Sequence, residues 1–449
     1  MQTIRFIDLF AGMGGIRLGF EQAAQALGLH TECVLTSEIK AHAVQTYLEN
    51  FPQEKVLGDI TQIPASSIPD FDFLLAGFPC QPFSNAGQRL GFLDTRGTLF
   101  FEIQRILEHK KPTGFLLENV EGLVTHDKGQ TLKTILAVLE RLGYLVSWKV
   151  LNAADFGVPQ ERKRIFIIGH LKHMISLEFE TVPLQRLGDL LESGLPVLDS
   201  AFTRKVFMHY KPSQLYGKSI KDKRGGEDNI HSWDLELKGE VSTAQKRLLE
   251  ALLRERRKRH WAIKKGICWM DGMPLTLSEI SSFFYPEGLF DQFNVKELLD
   301  DLVKKGYLEF EHPKDLVCTE GIQKRQPRVD IEKGYNIVVG KLSFEINKIL
   351  DPDGICPTLV ATDMSRIAVL DKLGLRRLSI REGLRLNGFP DTYQMGVSAQ
   401  DSYDLLGNSV VVPVVKAIVK RLMARAETYH IMPIKPNQYS SQNVFHSFD

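Results

Sequence analysis

Phe6-Ile7-Asp8-Leu9-Phe10-Ala11-Gly12-Met13-Gly14-Gly15 is the stretch that decides the fold. Its apolar first half predicts a buried β-strand, and its glycines predict a tight turn into a helix. Glycine also lets a backbone approach a bound molecule closely. The spacing differs from the dinucleotide pattern G-x-G-x-x-G, and no lysine follows the glycines, so a phosphate-binding loop is excluded.

Up to about residue 170, short apolar runs alternate with amphipathic stretches. Strands are predicted at residues 4–10, 31–36, 71–76, 113–118, 145–150 and 164–169, and helices at 21–27, 41–50, 98–110 and 130–142. This alternation predicts a mostly parallel α/β sheet. Ligands of such sheets bind at the carboxyl ends of the strands, where Gly12, Asp59, Cys80 and Glu118 are expected to converge.

Composition sets the broad class of protein. The 449 residues are 43% hydrophobic and 25% charged, which is typical of a globular chain long enough for two domains. The formal net charge is only +1, so any nucleic-acid binding must depend on local basic surface. Five cysteines without a CxxC pair argue against a zinc site or a disulfide framework. Neither a signal peptide nor a long apolar span is evident, and a cytoplasmic protein without membrane association is expected.

A second informative stretch is Leu74-Leu75-Ala76-Gly77-Phe78-Pro79-Cys80-Gln81-Pro82-Phe83-Ser84. A strand-like run ends at Gly77, and Cys80 follows in a loop that two prolines stiffen. A buried structural cysteine would explain the thiol. It would not explain the prolines or the polar neighbours, so a nucleophile is favoured.

Several motifs follow one another in a definite order: Phe6 to Gly15, Pro79-Cys80-Gln81, Glu118-Asn119-Val120, Gln160-Glu161-Arg162-Lys163-Arg164, Arg381-Glu382 with Leu386 to Pro390, and Gly407-Asn408-Ser409-Val410. The series resembles the cytosine-C5 DNA methyltransferase family, of the bacterial restriction-modification type. The match covers about residues 4–170 and 356–425. The resemblance implies a Rossmann-like S-adenosylmethionine-dependent methyltransferase domain with a second, smaller target-recognition domain.

The resemblance also implies catalytic roles. Cys80 would attack C6 of a cytosine that has been flipped out of the duplex, as a covalent catalyst. A protonated Glu118 would donate to N3, although an acid at a helix N-terminus is the alternative. Arg162 and Arg164 alternate along the predicted strand and are expected to face one side at its mouth. The family places Arg164 at the base and Arg162 near the nucleophile.

For the cofactor, the resemblance implies S-adenosyl-L-methionine, with residues from several motifs around it. The residues expected to line or close the site are Phe10, Gly12, Gly14, Gly15, Glu38, Asp59, Leu99, Asn408 and Val410. A carboxylate at Glu38 suits a ribose diol, and Asp59 could accept from an adenine amine. Taken singly, both acids could be solvated loop residues.

For DNA binding, Gln81 and Ser84 are candidates to fill the gap that the flipped base leaves or to hold phosphates. Thr358-Leu359 resembles the family's Thr-Leu pair that supports target recognition. The expected partners are double-stranded DNA and a cognate restriction endonuclease, with the protein as a monomer. A tRNA cytosine-C5 methyltransferase is the nearest alternative, but its Cys-Phe-Thr signature does not occur here. A non-catalytic DNA-binding homologue is another.

The domain boundaries follow from these patterns. Residues 1–178 are predicted to form the first part of the catalytic domain, 179–372 the target-recognition domain, 373–426 the return to the catalytic domain and 427–449 a tail. Within 243–320, helical patterns followed by a Gly-led strand are compatible with a winged-helix-like insert. Its basic run, Arg254 to His260 with Lys264-Lys265, could line phosphates or form a solvated helix face.

Overall fold

The computed structural model describes residues 3–79, 99–268, 272–284, 292–319, 322–339, 344–372 and 374–424. They form two compact units: the first takes in the described residues of Met1–Leu151, Lys163–Glu180 and Val412–Asp449, and the second those of Asn152–Arg162 and Thr181–Val411. Cys80, Gln81 and Ser84 lie outside the described residues. Within those ranges, no helix combines the length and the apolar character that crossing a bilayer requires.

A seven-stranded sheet forms the centre of the first unit. Its strands are β1 (Thr3–Leu9), β2 (His30–Ser37), β3 (Val56–Leu57), β4 (Phe73–Gly77), β5 (Gly114–Val120), β6 (Leu145–Asn152) and β7 (Lys163–His170). Their spatial order is β3-β2-β1-β4-β5-β7-β6. The five strands from β3 to β5 run parallel, which confirms the predicted α/β class. β7 runs antiparallel to β5, and its sequence does not show this because it is as apolar as its parallel neighbours.

The helices of the first unit are α1 (Gly15–Ala26), α2 (Ala41–Asn50), α3 (Leu99–Lys110), α4 (Gln130–Arg141) and α12 (Val412–Met423). α1 begins well before the predicted residue 21. Gly14 adopts a left-handed conformation with φ 80° and starts the helix directly. The low helix propensity of the glycines in its first turns hides this start in the sequence.

α12 completes the first unit by packing on α1. Its buried residues include Val415, Ile418 and Val419. Gly19 makes the close approach possible, because a Cβ added there would lie 2.7 Å from the side chain of Val415. Two helices from the beginning and the end of the described chain therefore pack against each other.

The second unit contains two cores. The first surrounds a five-stranded sheet in the order β16-β15-β14-β8-β9 and includes Val206, Ile349 and Leu375. These strands are β8 (Ser219–Ile220), β9 (Asn229–Ile230), β14 (Lys348–Ile349), β15 (Ile367–Asp371) and β16 (Gly374–Arg377). The helices α5 (Ala201–His209), α10 (Ile380–Leu386) and α11 (Ala399–Asn408) also belong to this unit.

The other core lies between residues 233 and 337. Its elements are α6 (Thr243–Glu255), α7 (Arg259–Lys264), α8 (Leu277–Ser281), α9 (Gln292–Lys305), β10 (Leu308–Glu311), β11 (Lys314–Thr319), β12 (Ile322–Pro327) and β13 (Gly334–Ile337). β10 pairs with β13, and Leu275 bridges to Tyr335 on the same strand. β11 and β12 pair only with each other among the strands described.

Candidate active site

The glycine turn after β1 lies beside the end of β2. The Gly12 N–H donates to the Glu38 carboxylate at 2.8 Å. Phe10 and Gly12 both have φ of 55°, a left-handed conformation that is strained for phenylalanine and easy for glycine. A Cβ built on Gly12 meets no atom within 4 Å, so this side of the turn is open to a ligand.

Glu38 is fixed by backbone donors. Besides Gly12, the N–H groups of Ile39 and Lys40 donate to its other carboxylate oxygen at 2.8 and 2.9 Å. A carboxylate has about four acceptor sites, so three such bonds leave room for a ribose hydroxyl. The turn and this carboxylate fit a nucleoside cofactor.

The remaining cofactor candidates in the first unit have different surroundings. Gly14 is required by packing, because a Cβ there would lie 2.6 Å from the Phe51 ring, and Gly15 is the first residue of α1. Leu99 is the first residue of α3.

Asp59 lies on the surface just after β3. Its carboxylate accepts from the Thr61 N–H at 2.9 Å, and this hydrogen bond lowers the pKa of Asp59 below its usual range. The Ser37 hydroxyl donates to the Gly58 carbonyl at 2.7 Å, which joins this segment to the end of β2. One Asp59 oxygen accepts this hydrogen bond, which caps the short helix that follows, and the carboxylate stays charged.

A buried network of hydrogen bonds and ion pairs links β1, α1 and α2 near the turn. The Tyr47 hydroxyl lies 3.4 Å from Asp8 Oδ2 and accepts from Arg17 at 3.0 Å. Arg17 also pairs with Glu21 and Glu54, both at 2.8 Å. Burial of Asp8 raises the pKa of its carboxyl to about 7, although the nearby Arg17 opposes the shift.

Glu118 and Arg164 form an ion pair on neighbouring strands of the first unit. Arg164 Nε lies 3.2 Å from Glu118 Oε1, and the two side chains are 15% and 12% exposed. Burial lowers the pKa of Arg164, and the negative charges of Glu118 and Glu121 oppose that shift. The arrangement places the carboxyl group of Glu118 beside the guanidinium of Arg164 near the carboxyl end of β5.

Residues at the carboxyl end of β5 also contact the segment that leads from β4 to Cys80. Gly77, at the end of β4, lies opposite Glu118 in the parallel pair. A Cβ at Gly77 would lie 3.5 Å from Glu118 Oε2, so the glycine leaves room for the carboxylate. The buried Asn119 amide donates to the Phe78 carbonyl at 2.8 Å. Asn119 thus holds the backbone two residues before the predicted nucleophile, a function that sequence reasoning missed although its motif had been noted.

Arg162 does not lie beside Arg164 on a strand, because β7 begins at Lys163. The expectation that both side chains share one strand face is therefore wrong. Arg162 belongs to the second unit and is 2% exposed. Its guanidinium donates to the carbonyls of Leu359 at 2.8 Å and Gly407 at 3.0 Å, and also to that of Ser409.

Gln160 adds to this cluster of the second unit, and sequence reasoning assigned it no function. Its amide donates to the Leu386 carbonyl at 2.7 Å and accepts from the Leu359 N–H at 3.2 Å. The Thr358 hydroxyl donates to the Glu161 carbonyl at 2.5 Å. Residues 160–162 therefore hold the predicted Thr358-Leu359 pair in place.

Asn408 and Val410 also lie in the second unit. The Asn408 amide donates to the Asp404 carbonyl and carboxylate, both at 2.9 Å. Val410 is 5% exposed. Packing is tight just before them, because a Cβ at Gly407 would lie 2.1 Å from the Ala361 nitrogen.

Comparison with known proteins gives consistent matches. The family described as C-5 cytosine-specific DNA methylase matches residues 4–424. Type II methyltransferase M.NlaIV of Neisseria lactamica is 56% identical over 431 residues, which cover 94% of this chain and 99% of that protein. Type II methyltransferase M.HgiCI of Herpetosiphon aurantiacus is 42% identical, with the same two coverages. A solved structure of Spodoptera frugiperda DNMT2 resembles the fold with a TM-score of 0.50 at 16% identity, covering 94% of this chain and all of that one.

Proposed function

Because this chain belongs to the C-5 cytosine-specific DNA methylase family and is a DNA cytosine-5 methyltransferase of the restriction-modification type, we propose that it methylates a flipped cytosine in a specific duplex sequence through a covalent Cys80–C6 intermediate. The observation that carries the proposal is the Glu118–Arg164 pair at 3.2 Å, in which Glu118 lies on the strand next to the one that leads to Cys80. A cytosine inside a duplex is unreachable, so the base must leave the stack.

The methyl donor is S-adenosylmethionine, which supplies an electrophilic methyl carbon when bound. The Gly12 turn would let the donor approach the backbone closely, and Glu38 would accept from its ribose hydroxyls. Phe10, Gly14, Gly15, Asp59 and Leu99 complete the first unit's part of this site.

In the first step the Cys80 thiolate adds to C6 of the base, and the electron pair of the C5–C6 double bond is drawn toward N3 and O2. Glu118 delivers a proton to N3. The Arg164 guanidinium stabilises the charge that develops on O2.

In the second step C5 would take up the methyl group that the donor supplies: the C5–methyl bond forms as the donor's sulfur–methyl bond breaks, and S-adenosylhomocysteine leaves. The C5 proton then passes to water, the C6–sulfur bond breaks, and the electron pair returns to Cys80. N3 gives its proton back to Glu118. Arg162 has no contact with the base in this scheme and serves as a positioning residue, since its guanidinium is bonded to three backbone carbonyls.

In this proposal, different segments of the chain carry catalysis and target recognition. Residues 1–178 and 373–426 carry catalysis, and residues 179–372 recognise the target, with a winged-helix-like insert near 243–320 and Thr358-Leu359 supporting recognition. Gln81 and Ser84 fill the gap that the flipped base leaves or hold DNA phosphates. The partners are duplex DNA and a cognate endonuclease of the same site, and the protein acts as a monomer.

The first test is methyl transfer from labelled S-adenosylmethionine to a mixed-sequence duplex library and to tRNA, followed by mapping of 5-methylcytosine at base resolution. One short methylated DNA motif is the expected result. Label in tRNA alone would identify an RNA enzyme, and label in neither substrate would contradict the proposal.

Cys80→Ser tests the covalent step. This variant is expected to lose turnover while binding the cofactor as before, because a serine hydroxyl is a much weaker nucleophile than a thiolate. Cys268→Ser, at an exposed cysteine of the second unit, is the matched control and should keep full activity. A Cys80→Ser enzyme with a near wild-type rate would exclude the covalent intermediate.

A further inference from the structure

The second unit carries a ribbon, strands β11 and β12, that lies outside its larger sheet. The two strands pair antiparallel from Lys314 with Pro327 to Thr319 with Ile322. An isolated two-stranded hairpin is at best marginally stable in water. The ribbon must therefore be held at its base.

The base of the ribbon is anchored by specific contacts. Asp315 accepts from the Cys268 N–H at 3.1 Å and lies 3.7 Å from the Arg328 guanidinium. The Arg328 N–H donates to the Pro313 carbonyl at 2.8 Å, and its side chain pairs with Asp330 at 2.6 Å. These contacts tie the base of the ribbon to residue 268 and to the segment that follows β12.

Beyond this base the ribbon is basic and polar. Lys324, Arg325 and Gln326 follow one another on β12 and are all exposed. Lys314, at the start of β11, is paired with Glu311 at 2.6 Å. An exposed run of Lys, Arg and Gln has the donors that suit phosphates and base edges.

The neighbouring helix α9 has no such character. Lys296 pairs with Asp300 and Lys305 pairs with Asp301, each at 2.6 Å. These two pairs neutralise part of the charge of the helix.

We propose that the ribbon β11–β12 is a sequence-reading surface that enters the major groove of the duplex target. This inference rests on the proposed function and specifies where specificity is determined. A two-stranded ribbon fits the major groove, about 12 Å wide. There Arg and Lys donate to guanine, and Gln pairs with adenine. Because neighbouring strand residues alternate in direction, Lys324 and Gln326 share one ribbon face and Arg325 lies on the other.

The test uses the full-length enzyme with Lys324→Ala, Arg325→Ala and Gln326→Ala, each measured separately. Lys304→Ala, at an exposed position of α9, is the control. Duplex affinity is measured across a salt series, and the methylated motif is mapped in the library. Cofactor binding and thermal unfolding show that each variant is folded.

Lys324→Ala and Arg325→Ala are expected to weaken duplex binding by about 5-fold to 100-fold. A lost phosphate contact lowers the slope of log affinity against log salt by about 0.9. A lost base contact instead relaxes one position of the methylated motif, which is the expected result for Gln326→Ala. Lys304→Ala should change none of these.

Ribbon variants that keep wild-type affinity, salt slope and motif would overturn the inference, and so would an equal loss in Lys304→Ala. These outcomes differ from failure of the proposed function, in which the wild-type enzyme itself methylates no DNA. Loss of tRNA binding without loss of duplex binding would also reject the ribbon as a DNA-reading surface.

Discussion

At the residue scale, the Glu118–Arg164 pair makes a sharp prediction. Glu118→Gln keeps the shape and the hydrogen-bonding reach of the side chain but removes the proton that N3 receives. The single-turnover rate should fall about 100-fold or more, as for other general acids, while duplex affinity changes little. Rapid-quench methylation with saturating DNA measures the rate. Glu121→Gln, at an exposed residue three positions on, is the control, and an unchanged rate in Glu118→Gln would remove its assigned role.

Asp8 links stability to pH. Burial raises its folded-state pKa to about 7, whereas the carboxyl of an unfolded chain titrates near pH 4, roughly. The folded state therefore keeps the proton longer. The stability that Asp8 contributes is complete below about pH 4 and is lost as the pH rises to about 7.

Asp8→Asn should remove this dependence. In urea unfolding between pH 5 and pH 8, the wild-type free energy of unfolding should fall more steeply than that of the variant, by up to about 1.4 kcal/mol per pH unit. The groups that face Asp8 are Arg17, Tyr47, Glu21 and Glu38. Parallel curves for the two proteins would show that Asp8 does not hold the proton.

How far the sequence predicts the site depends on how local each contact is. Gly12 with Glu38, and Glu118 with its strand position, follow from motifs and strand ends. Arg162 does not, because its partners Leu359 and Gly407 lie roughly 200 residues or more away in the chain. Asn119 and Gln160 stand in recognised motifs, yet their bonds to backbone carbonyls depend on tertiary packing.

At the element scale, most strands and helices before residue 170 were predictable because each is a short periodic segment, whereas the two-residue strand β3 (Val56–Leu57) is too short to show a pattern. The start of α1 was not predictable, because the glycines in its first turns have a low helix propensity. The ribbon β11–β12 was also missed, since its exposed polar residues lack the apolar alternation of a half-buried strand.

The contact of α1 with α12 gives a prediction at this scale. In Gly19→Ala the new Cβ would lie 2.7 Å from Val415 and 3.1 Å from the Val412 carbonyl. Alanine gains about 1 kcal/mol in helix propensity, but overpacking costs about 1–3 kcal/mol, and these neighbours are a β-branched side chain and backbone. We expect a lower melting temperature.

Gly122→Ala is the matched control, since a Cβ there meets no atom within 4 Å. It should melt close to the wild type in the same calorimetric scan. If the Gly19→Ala protein were as stable as this control, α1 and α12 would accommodate the added methyl group without a loss of stability.

At the scale of the whole molecule, the first unit is assembled from both ends of the described chain. β1 and α1 come from the start, and α12 comes from the end, after the entire second unit. Phe20 of α1 packs on Phe6 and Phe73 of the sheet, but the surface around Gly19 is covered only when α12 has been made. Folding of the cofactor-binding unit therefore depends on residues far from any cofactor contact.

Truncation tests this dependence. A protein ending at residue 411 lacks α12, whose buried Val412, Val415 and Ile418 leave the core, and we expect it to lose cooperative melting and cofactor binding. A protein ending at residue 424 keeps every described element and should retain both. Circular dichroism melting and isothermal titration with S-adenosylmethionine measure the two properties. If the shorter protein melted and bound like the longer one, the first unit would be complete without its last helix, and the packing of Gly19 on Val415 would be dispensable.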